Sequence, residues 1–355
     1  MNFLFRVDGS KYIGLGHIMR SMSLAMELEA NNIEISYLTR FKEGAEKLEE
    51  NKINYYKMKN TYDNLRTYKN NNIDLDLYVD DELSQIKEFL SKYEYTHIII
   101  DSYLVNKTYF LELKKLFKKV IYIDDLNKFK YPVDVIINGN IYAKKLYYQK
   151  YFDNTKLLLG LEYNLINNKY RNLSRDFNRE LKEILITTGG SDPKNLMEKF
   201  IDFILINKIN DNIRINIIIG KAFLKKNKDI IYNKISEKEN FTVYEDINYM
   251  EKIMIKSDLA ITSGGSTIYE LMACGIYIVS FSYARNQNEI IKTVENKGYL
   301  KSIGNYEDVN FKKLKRIIKE FNSKEKIINE VRRKEMEVMN LGGVSNIVKE
   351  IIKGN

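Results

Sequence analysis

Residues 3–20, FLFRVDGSKYIGLGHIMR, hold types that fit proton transfer beside an anion. Gly14 and Gly16 let backbone approach a ligand, and the unpaired N–H groups of a helix start favour negative charge. His17 follows them directly. An ordinary imidazole takes a proton from water near neutral pH, so His17 is the candidate general base. The chain has two histidines, and the other, His97, leads into an apolar run where packing is its expected role. Three further runs end in acid: Asp8, Asp101, and the pair Asp124 and Asp125. A single Asp most often ends a strand or caps a helix. Ends of parallel strands share one edge, however, so the set is read as a polar crevice able to orient a histidine or hold hydroxyls.

A second constellation lies in the other half. Gly189-Gly190-Ser191 and Ser263-Gly264-Gly265-Ser266-Thr267 each follow an apolar run and precede a helical pattern. Glycines there let N–H groups converge on phosphate oxygens, and Ser266 and Thr267 add hydroxyls or a cap. No Gly-Lys-Ser/Thr follows and no GxGxxG is present, so neither is a P-loop or a dinucleotide fingerprint. Glu270 lies one helical turn past Ser266, placed to accept hydrogen bonds from both hydroxyls of a ribose. Each Gly-Gly pair alone reads as a tight turn. Together with Glu270 they read as a nucleotide diphosphate site.

The elements that must position these residues alternate. Phe3–Val7 reads as a strand, His17 opens a helix with Ile18, Met22, Ala25 and Met26 on one face, and Ile33–Tyr37 is the next strand. Residues 42–50 read as helix, 53–58 as extended, 60–72 as loop and 83–93 as helix. The strands 97–101, 120–124 and 133–137 follow, with a helix over 107–117. A polar crossing at 163–177 leads to a second series. It has strands at 184–187, 215–219, 241–244, 259–261 and 276–280, and helices near 195, over 249–257 and 267–273, and up to Lys297. From Asn310 two or three helices close the chain. The pattern is α/β with parallel sheets covered on both faces. The expected divisions are 1–165, 178–309, and a helical extension 310–355 packing back on the core.

Composition narrows the class. With 355 residues, 44% hydrophobic and 30% charged, the chain is an ordinary globular protein large enough for two cores. One cysteine, Cys274, excludes an internal disulfide and suits a reducing cytoplasm; amid small helical residues it reads as an inert thiol. No secretory signal or 18-residue apolar run is present, so no membrane insertion is expected. The net charge of +9 is spread among lysines alternating with Glu and Asp, a solvated surface and not a nucleic-acid face. No Cys/His cluster points to a metal; a Mg²⁺ ion on the aspartates is not needed.

The ordered set RVDGSKYIGLGHIMR, IIIDSY, YIDDLNK, VIINGNIYA, TTGGSDPKNL, SGGSTIYELMACG and RNQNE resembles the PseG family over about residues 3–300. Those enzymes are UDP-2,4-diacetamido-2,4,6-trideoxy-beta-L-altropyranose hydrolases of pseudaminic acid biosynthesis. The resemblance implies a GT-B fold related to MurG, with two Rossmann-like domains facing across a cleft. It implies an N-terminal sugar domain, a C-terminal UDP domain, no cofactor and no metal. It puts the family's histidine on His17, activating water for attack at the anomeric carbon with inversion and UDP leaving. It carries a functional asparagine onto Asn286, with Gln287 beside it.

On that reading Gly264, Gly265 and Ser266 offer N–H groups to the β-phosphate, with Gly189, Gly190, Ser191, Ser263, Thr267 and Glu270 completing the UDP site. His17 is held by Asp8 or Asp101. Tyr103 packs on or bonds to the sugar, and Asp8, Gly14, Gly16 and Asp101 line its place. The tail from about 309 departs from shorter members, leaving oligomeric state open. The competing readings are a glycosyltransferase with a UDP-sugar donor and a non-catalytic nucleotide-sugar binder.

Overall fold

The structure, a computed structural model, describes residues 1–10, 13–59, 74–148, 154–177, 180–283 and 285–353. The expected loop 60–72 lies outside the described residues. The chain divides into two compact units, Met1–Asn167 with Gly342–Asn355, and Asn168–Leu341.

In the first unit, β1 (Asn2–Val7), α1 (Gly16–Ala30), β2 (Glu34–Thr39), α2 (Lys42–Glu50) and β3 (Tyr55–Lys57) lead to α3 (Leu75–Leu90). Then come β4 (His97–Asp101), α4 (Lys107–Leu116), β5 (Lys119–Ile123), β6 (Val135–Asn138) and β7 (Lys156–Leu159). Among the described residues they form one parallel sheet in the order β3-β2-β1-β4-β5-β6-β7. The order reverses between β1 and β4, which opens a crevice at their carboxyl ends. Val7 pairs with Asp101 there, so the β1–α1 loop and the end of β4 share one edge.

Side chains alternate between the two faces of a strand. Phe3, Phe5 and Val7 of β1, Ile99 of β4, and Ile121 and Ile123 of β5 join the core on the α1 side. Leu4, Ile98, Ile100, Val120 and Tyr122 join the opposite core, beneath α3 and α4. On α1 the buried stripe is Ile18, Met22, Ala25 and Leu28. Met26, expected on that face, is exposed. It lies about 80° around the helix from Ile18, enough to leave the stripe.

The second unit repeats the plan. It contains β8 (Glu183–Thr187), α5 (Leu196–Ile206), β9 (Arg214–Ile219), α6 (Lys225–Ile235), β10 (Phe241–Glu245) and α7 (Met250–Met254). These are followed by β11 (Leu259–Ser263), α8 (Thr267–Ala273), β12 (Tyr277–Ser282), α9 (Arg285–Asn296), β13 (Leu300–Asn305), α10 (Phe311–Glu320) and α11 (Glu325–Met339). Its parallel sheet runs β10-β9-β8-β11-β12-β13, reversing between β8 and β11.

The chain then re-enters the first unit as α12 (Val344–Ile352). Val344, Ile347, Val348 and Ile351 form a helical stripe buried beside α1 with Phe3, Phe5 and Leu28. Each such side chain contributes about 1.5–3 kcal/mol by leaving water. Lys119 Nζ donates to the Ile351 carbonyl at 3.1 Å, and Asn346 Nδ2 to that of Glu162 at 3.0 Å. The stretch expected as one extension, 310–355, is therefore divided: α10 and α11 belong to the second unit, α12 to the first. Strands β7 and β13, helix α6 and the first two turns of α3 are additions to what the residue pattern predicts. Helix α3 starts early because Asp74 caps it, accepting from the N–H groups of Asp76 and Leu77.

Candidate functional site

At the reversal point of the first sheet, the loop after β1 folds on itself. Ser10 and Gly14 exchange two backbone hydrogen bonds, and Gly14 takes φ +80°, a conformation that favours glycine. Gly16 opens α1 with open space where a Cβ would stand. His17 comes next, its ring a little exposed. It lines a cavity of about 170 Å³ with Asp8, Ile13, Asp101, Ser102 and Tyr103.

The expected acids do not act as one set; strand alternation sorts them. Asp101 shares the parity of Ile99 and meets α1, where its Oδ1 lies 2.5 Å from His17 Nδ1. Arg20, one turn along α1, grips the same carboxylate through Nε to Oδ2 and Nη2 to Oδ1, both at 2.6 Å. Burial by itself would raise the Asp101 carboxyl; Arg20 first and His17 second outweigh it, and the group falls to about 2. Asp125, on the same side, receives Arg20 Nη1 on both oxygens at 2.9 and 2.8 Å. Tyr103 Oη and Asn140 Nδ2 also donate to Asp125, each at 2.8 Å.

Asp8 and Asp124 take the other parity and face the opposite layer. Asp8 accepts from Arg6 Nη2 at 2.7 Å and from the Arg40 N–H at 2.8 Å. Arg6 continues to Glu82 at 2.7 Å, a fully buried ion network. Asp8 lines the cavity, but its oxygens serve these groups and the carboxylate on the His17 ring is that of Asp101. Asp124 accepts from Tyr148, Tyr131 and the N–H groups of Leu126 and Asn127, an internal brace.

Tyr103 stands edge-on to the His17 ring at 4.8 Å. Its hydroxyl is committed to Asp125, so it presents the cavity with its ring and not with a free donor. His97 is buried, tilted against Phe3 at 4.7 Å with Nδ1 at 2.7 Å from Thr96 Oγ1. Sequence reasoning missed Arg20, Asp125 as a partner of Arg20, and Asn140. The available signal for Arg20 was its i+3 spacing from His17, which places both on one helical face.

The second sheet gathers the two glycine turns at its own reversal point. Gly189 takes φ +91°, and a Cβ on it would stand 3.3 Å from Ser263 Oγ. Gly190 packs against Gly220, whose Cβ would meet its carbonyl oxygen at 2.5 Å. Of the expected phosphate donors Gly264, Gly265 and Ser266, the first two are corrected. The Gly264 N–H bonds to Phe281 O and that of Gly265 to Ser263 O, each at 2.9 Å. Among the described residues the N–H groups of Gly190, Ser191, Ser266 and Thr267 carry no hydrogen bond. These four are the donors available to an anion. Gly264 is buried and serves packing instead, since a Cβ there would strike Ile291 Cδ1 at 2.5 Å and Gln287 Cβ at 3.0 Å. Its missing side chain lets α9 close on the turn. Gly265 has open space at its Cβ position.

Gln287 is thereby placed beside Gly264, its Oε1 accepting from the Tyr283 N–H at 2.8 Å. Asn286 belongs to α9, but its side chain lies outside the described residues. Glu270, on α8, is half-buried and makes no side-chain hydrogen bond among the described residues. Burial lifts its carboxyl to about 7, with Lys169 opposing and Glu251 adding to the rise. Cys274 is buried and its thiol is pushed up to about 12 by burial, far from a nucleophile at neutral pH. Among the described residues no group of three or more His, Cys, Asp or Glu is gathered as a metal site, and no helix is long and apolar enough to cross a membrane.

Residues 184–351 match the glycosyltransferase family 28 C-terminal domain. An uncharacterized protein of Methanocaldococcus jannaschii is 31% identical over 316 residues, covering 85% of this chain and 59% of that protein. A Campylobacter jejuni protein named UDP-2,4-diacetamido-2,4,6-trideoxy-beta-L-altropyranose hydrolase is 24% identical over 306 residues, 84% of this chain and 98% of its own length. The chain spans 59% of the Methanocaldococcus jannaschii protein and 37% of a longer Helicobacter pylori relative. Among solved structures, Acinetobacter baumannii MurG superposes with a TM-score of 0.69 at 14% identity, covering 99% of this chain and 100% of that one. The chain is thus similar in sequence to proteins named as UDP-2,4-diacetamido-2,4,6-trideoxy-beta-L-altropyranose hydrolases, and its two parallel-sheet α/β domains have a MurG-like GT-B fold with additional C-terminal helices.

Proposed function

We propose that this protein is an enzyme that hydrolyses a UDP-linked 2,4-diacetamido-2,4,6-trideoxy sugar of the altrose type. Water attacks the anomeric carbon, a C1–O bond to water forms, and the C1–O bond to the β-phosphate breaks with inversion. The products are UDP and the free sugar. The observation that carries this reading is the His17–Asp101 pair at the mouth of a cavity. An ionised Asp101 only accepts, so His17 Nδ1 carries the hydrogen and Nε2 is left with its lone pair. Nε2 takes the proton that the attacking water loses.

Tyr103 offers its ring to the sugar, and Asp8, Gly14 and Gly16 bound the same space. In the second unit the free N–H groups of Gly190, Ser191, Ser266 and Thr267 receive the diphosphate and the charge that grows on it as the bond breaks. Ser263 and Gly189 shape the turns, and Glu270 accepts from the ribose hydroxyls. UDP is already a good leaving group, so no acid on the leaving oxygen is required. No step in this scheme calls for a metal ion or cofactor. The name of the Campylobacter jejuni relative, matched over 98% of its length, supports the same chemistry.

Incubation of the full chain with the UDP-sugar alone, followed by NMR, tests the reading. The expected result is stoichiometric UDP and a sugar first seen as the inverted anomer. UDP release only after an acceptor is added would instead make the protein a glycosyltransferase, which the match to family 28 also accommodates.

A further inference from the structure

Resting on that hydrolytic reading, we propose that Arg20 is the positioning residue of the base: it fixes the Asp101 carboxylate on the His17 ring and thereby the tautomer of that ring. Arg20 uses Nε and Nη2 on Asp101, both at 2.6 Å, and Nη1 on Asp125 at 2.9 and 2.8 Å. Asp125 is in turn held by Tyr103 and Asn140. The guanidinium is therefore a clamp between the ends of β4 and β5, carried on the helix that carries His17.

The same guanidinium reaches the ring. Arg20 Nη2 lies 3.2 Å from His17 Nδ1, while Asp101 Oδ1 lies 2.5 Å from it. A guanidinium nitrogen is always a donor, so Nδ1 cannot both accept from Arg20 and donate to Asp101. The shorter contact goes to the carboxylate, which fixes the Nδ1–H tautomer. Arg20 pairs with the Asp101 charge and stands against the ring, so the carboxylate is held in one place on Nδ1. The groups facing His17 are Asp101 at the end of β4, Tyr103 just beyond it, Arg20 on α1 and Asp8 after β1, with Asp125 behind Arg20 and Lys128 5.9 Å from the Tyr103 ring.

The test uses imidazole NMR on the full chain, where two histidines give two resolvable rings and buried His97 serves as the reference. In Arg20→Gln the Asp101 carboxylate loses its clamp: ring ¹⁵N shifts of His17 report a mixture of tautomers in place of the single one of wild type, and kcat falls about ten- to a hundredfold at unchanged KM. In Arg20→Lys the charge remains but the fork across two carboxylates is lost. There kcat still falls, and the ring again shows a mixture of tautomers. A single tautomer in Arg20→Gln overturns the proposal; so does an Arg20→Lys protein with normal kcat and a single tautomer. Should Arg20→Gln not fold, Arg20→Lys decides alone. The ring spectra need no substrate: a wild type that releases no UDP sinks the hydrolytic reading, while the spectra still judge Arg20.

Discussion

The two sheets share one plan and furnish it in opposite ways. Each reverses its order beside its first strand, and each collects its notable residues at that point. The first edge is built from charged side chains: His17, Arg20, Asp101 and Asp125. The second is built from backbone, with glycines, free N–H groups and one unpaired carboxylate. On the proposed function the difference follows from what each edge would do. Moving a proton would call for one ring in one tautomer, which charged partners lock. Receiving a diphosphate would call for room and donors, and side chains would occupy the room.

The largest break in that comparison removes the ring. His17→Asn keeps a side-chain donor for Asp101 but has no basic nitrogen. Turnover falls by about 10²–10⁴-fold, the usual worth of a general base. UDP affinity, measured by calorimetry, changes less than about twofold, since binding belongs to the other edge in this scheme. A near-normal rate would remove the base from the first edge altogether.

Next in size is a pair of methyl groups on the second edge. Gly264→Ala drives a Cβ into Ile291 and Gln287, so it costs about 1–3 kcal/mol of stability, read as a lowered Tm. Gly265→Ala meets nothing within 4 Å in the free protein, so Tm stays put. If that space receives the diphosphate, UDP affinity in Gly265→Ala drops roughly tenfold to a hundredfold, equivalent to about 1.4–2.8 kcal/mol. Unchanged affinity in Gly265→Ala would move the nucleotide elsewhere.

Much of this was legible in residue order. The strand–turn–helix pattern around His17 and the two Gly-Gly turns put each candidate at a sheet edge, and apolar runs marked most strands. What residue order alone did not separate was the fate of four acids at three strand ends. The period of two does separate them. Asp101 and Asp125 fall to the α1 side, with His17 and Arg20, while Asp8 and Asp124 fall to the other, with Arg6 and the tyrosines. The free N–H groups were hidden for a different reason. Whether Gly264 or Ser266 donates depends on Phe281, a strand partner remote in sequence. The return of α12 was hidden too. Its stripe shows that it is buried, and only tertiary packing chooses α1 as its neighbour.

The finest probe is the unpaired carboxylate of the open edge. Glu270 titrates at about 7 in the folded chain against 4.5 for an ordinary glutamate, because burial disfavours its charge. A raised carboxylate binds more protons folded than unfolded, so its stabilising contribution is lost as pH rises from about 4.5 through about 7. Glu270→Gln therefore raises Tm at pH 8, and the gain fades as pH falls towards the ordinary carboxylate range. Ribose hydroxyls donate best to the ionised form. Wild-type affinity for UDP then weakens up to about tenfold from pH 8 to pH 6, beyond any change due to the phosphate's own titration. Glu270→Gln binds more weakly at pH 8 and keeps only the phosphate's dependence. If both proteins show the same pH profile, Glu270 does not touch the nucleotide, and the open edge recognises it through backbone alone.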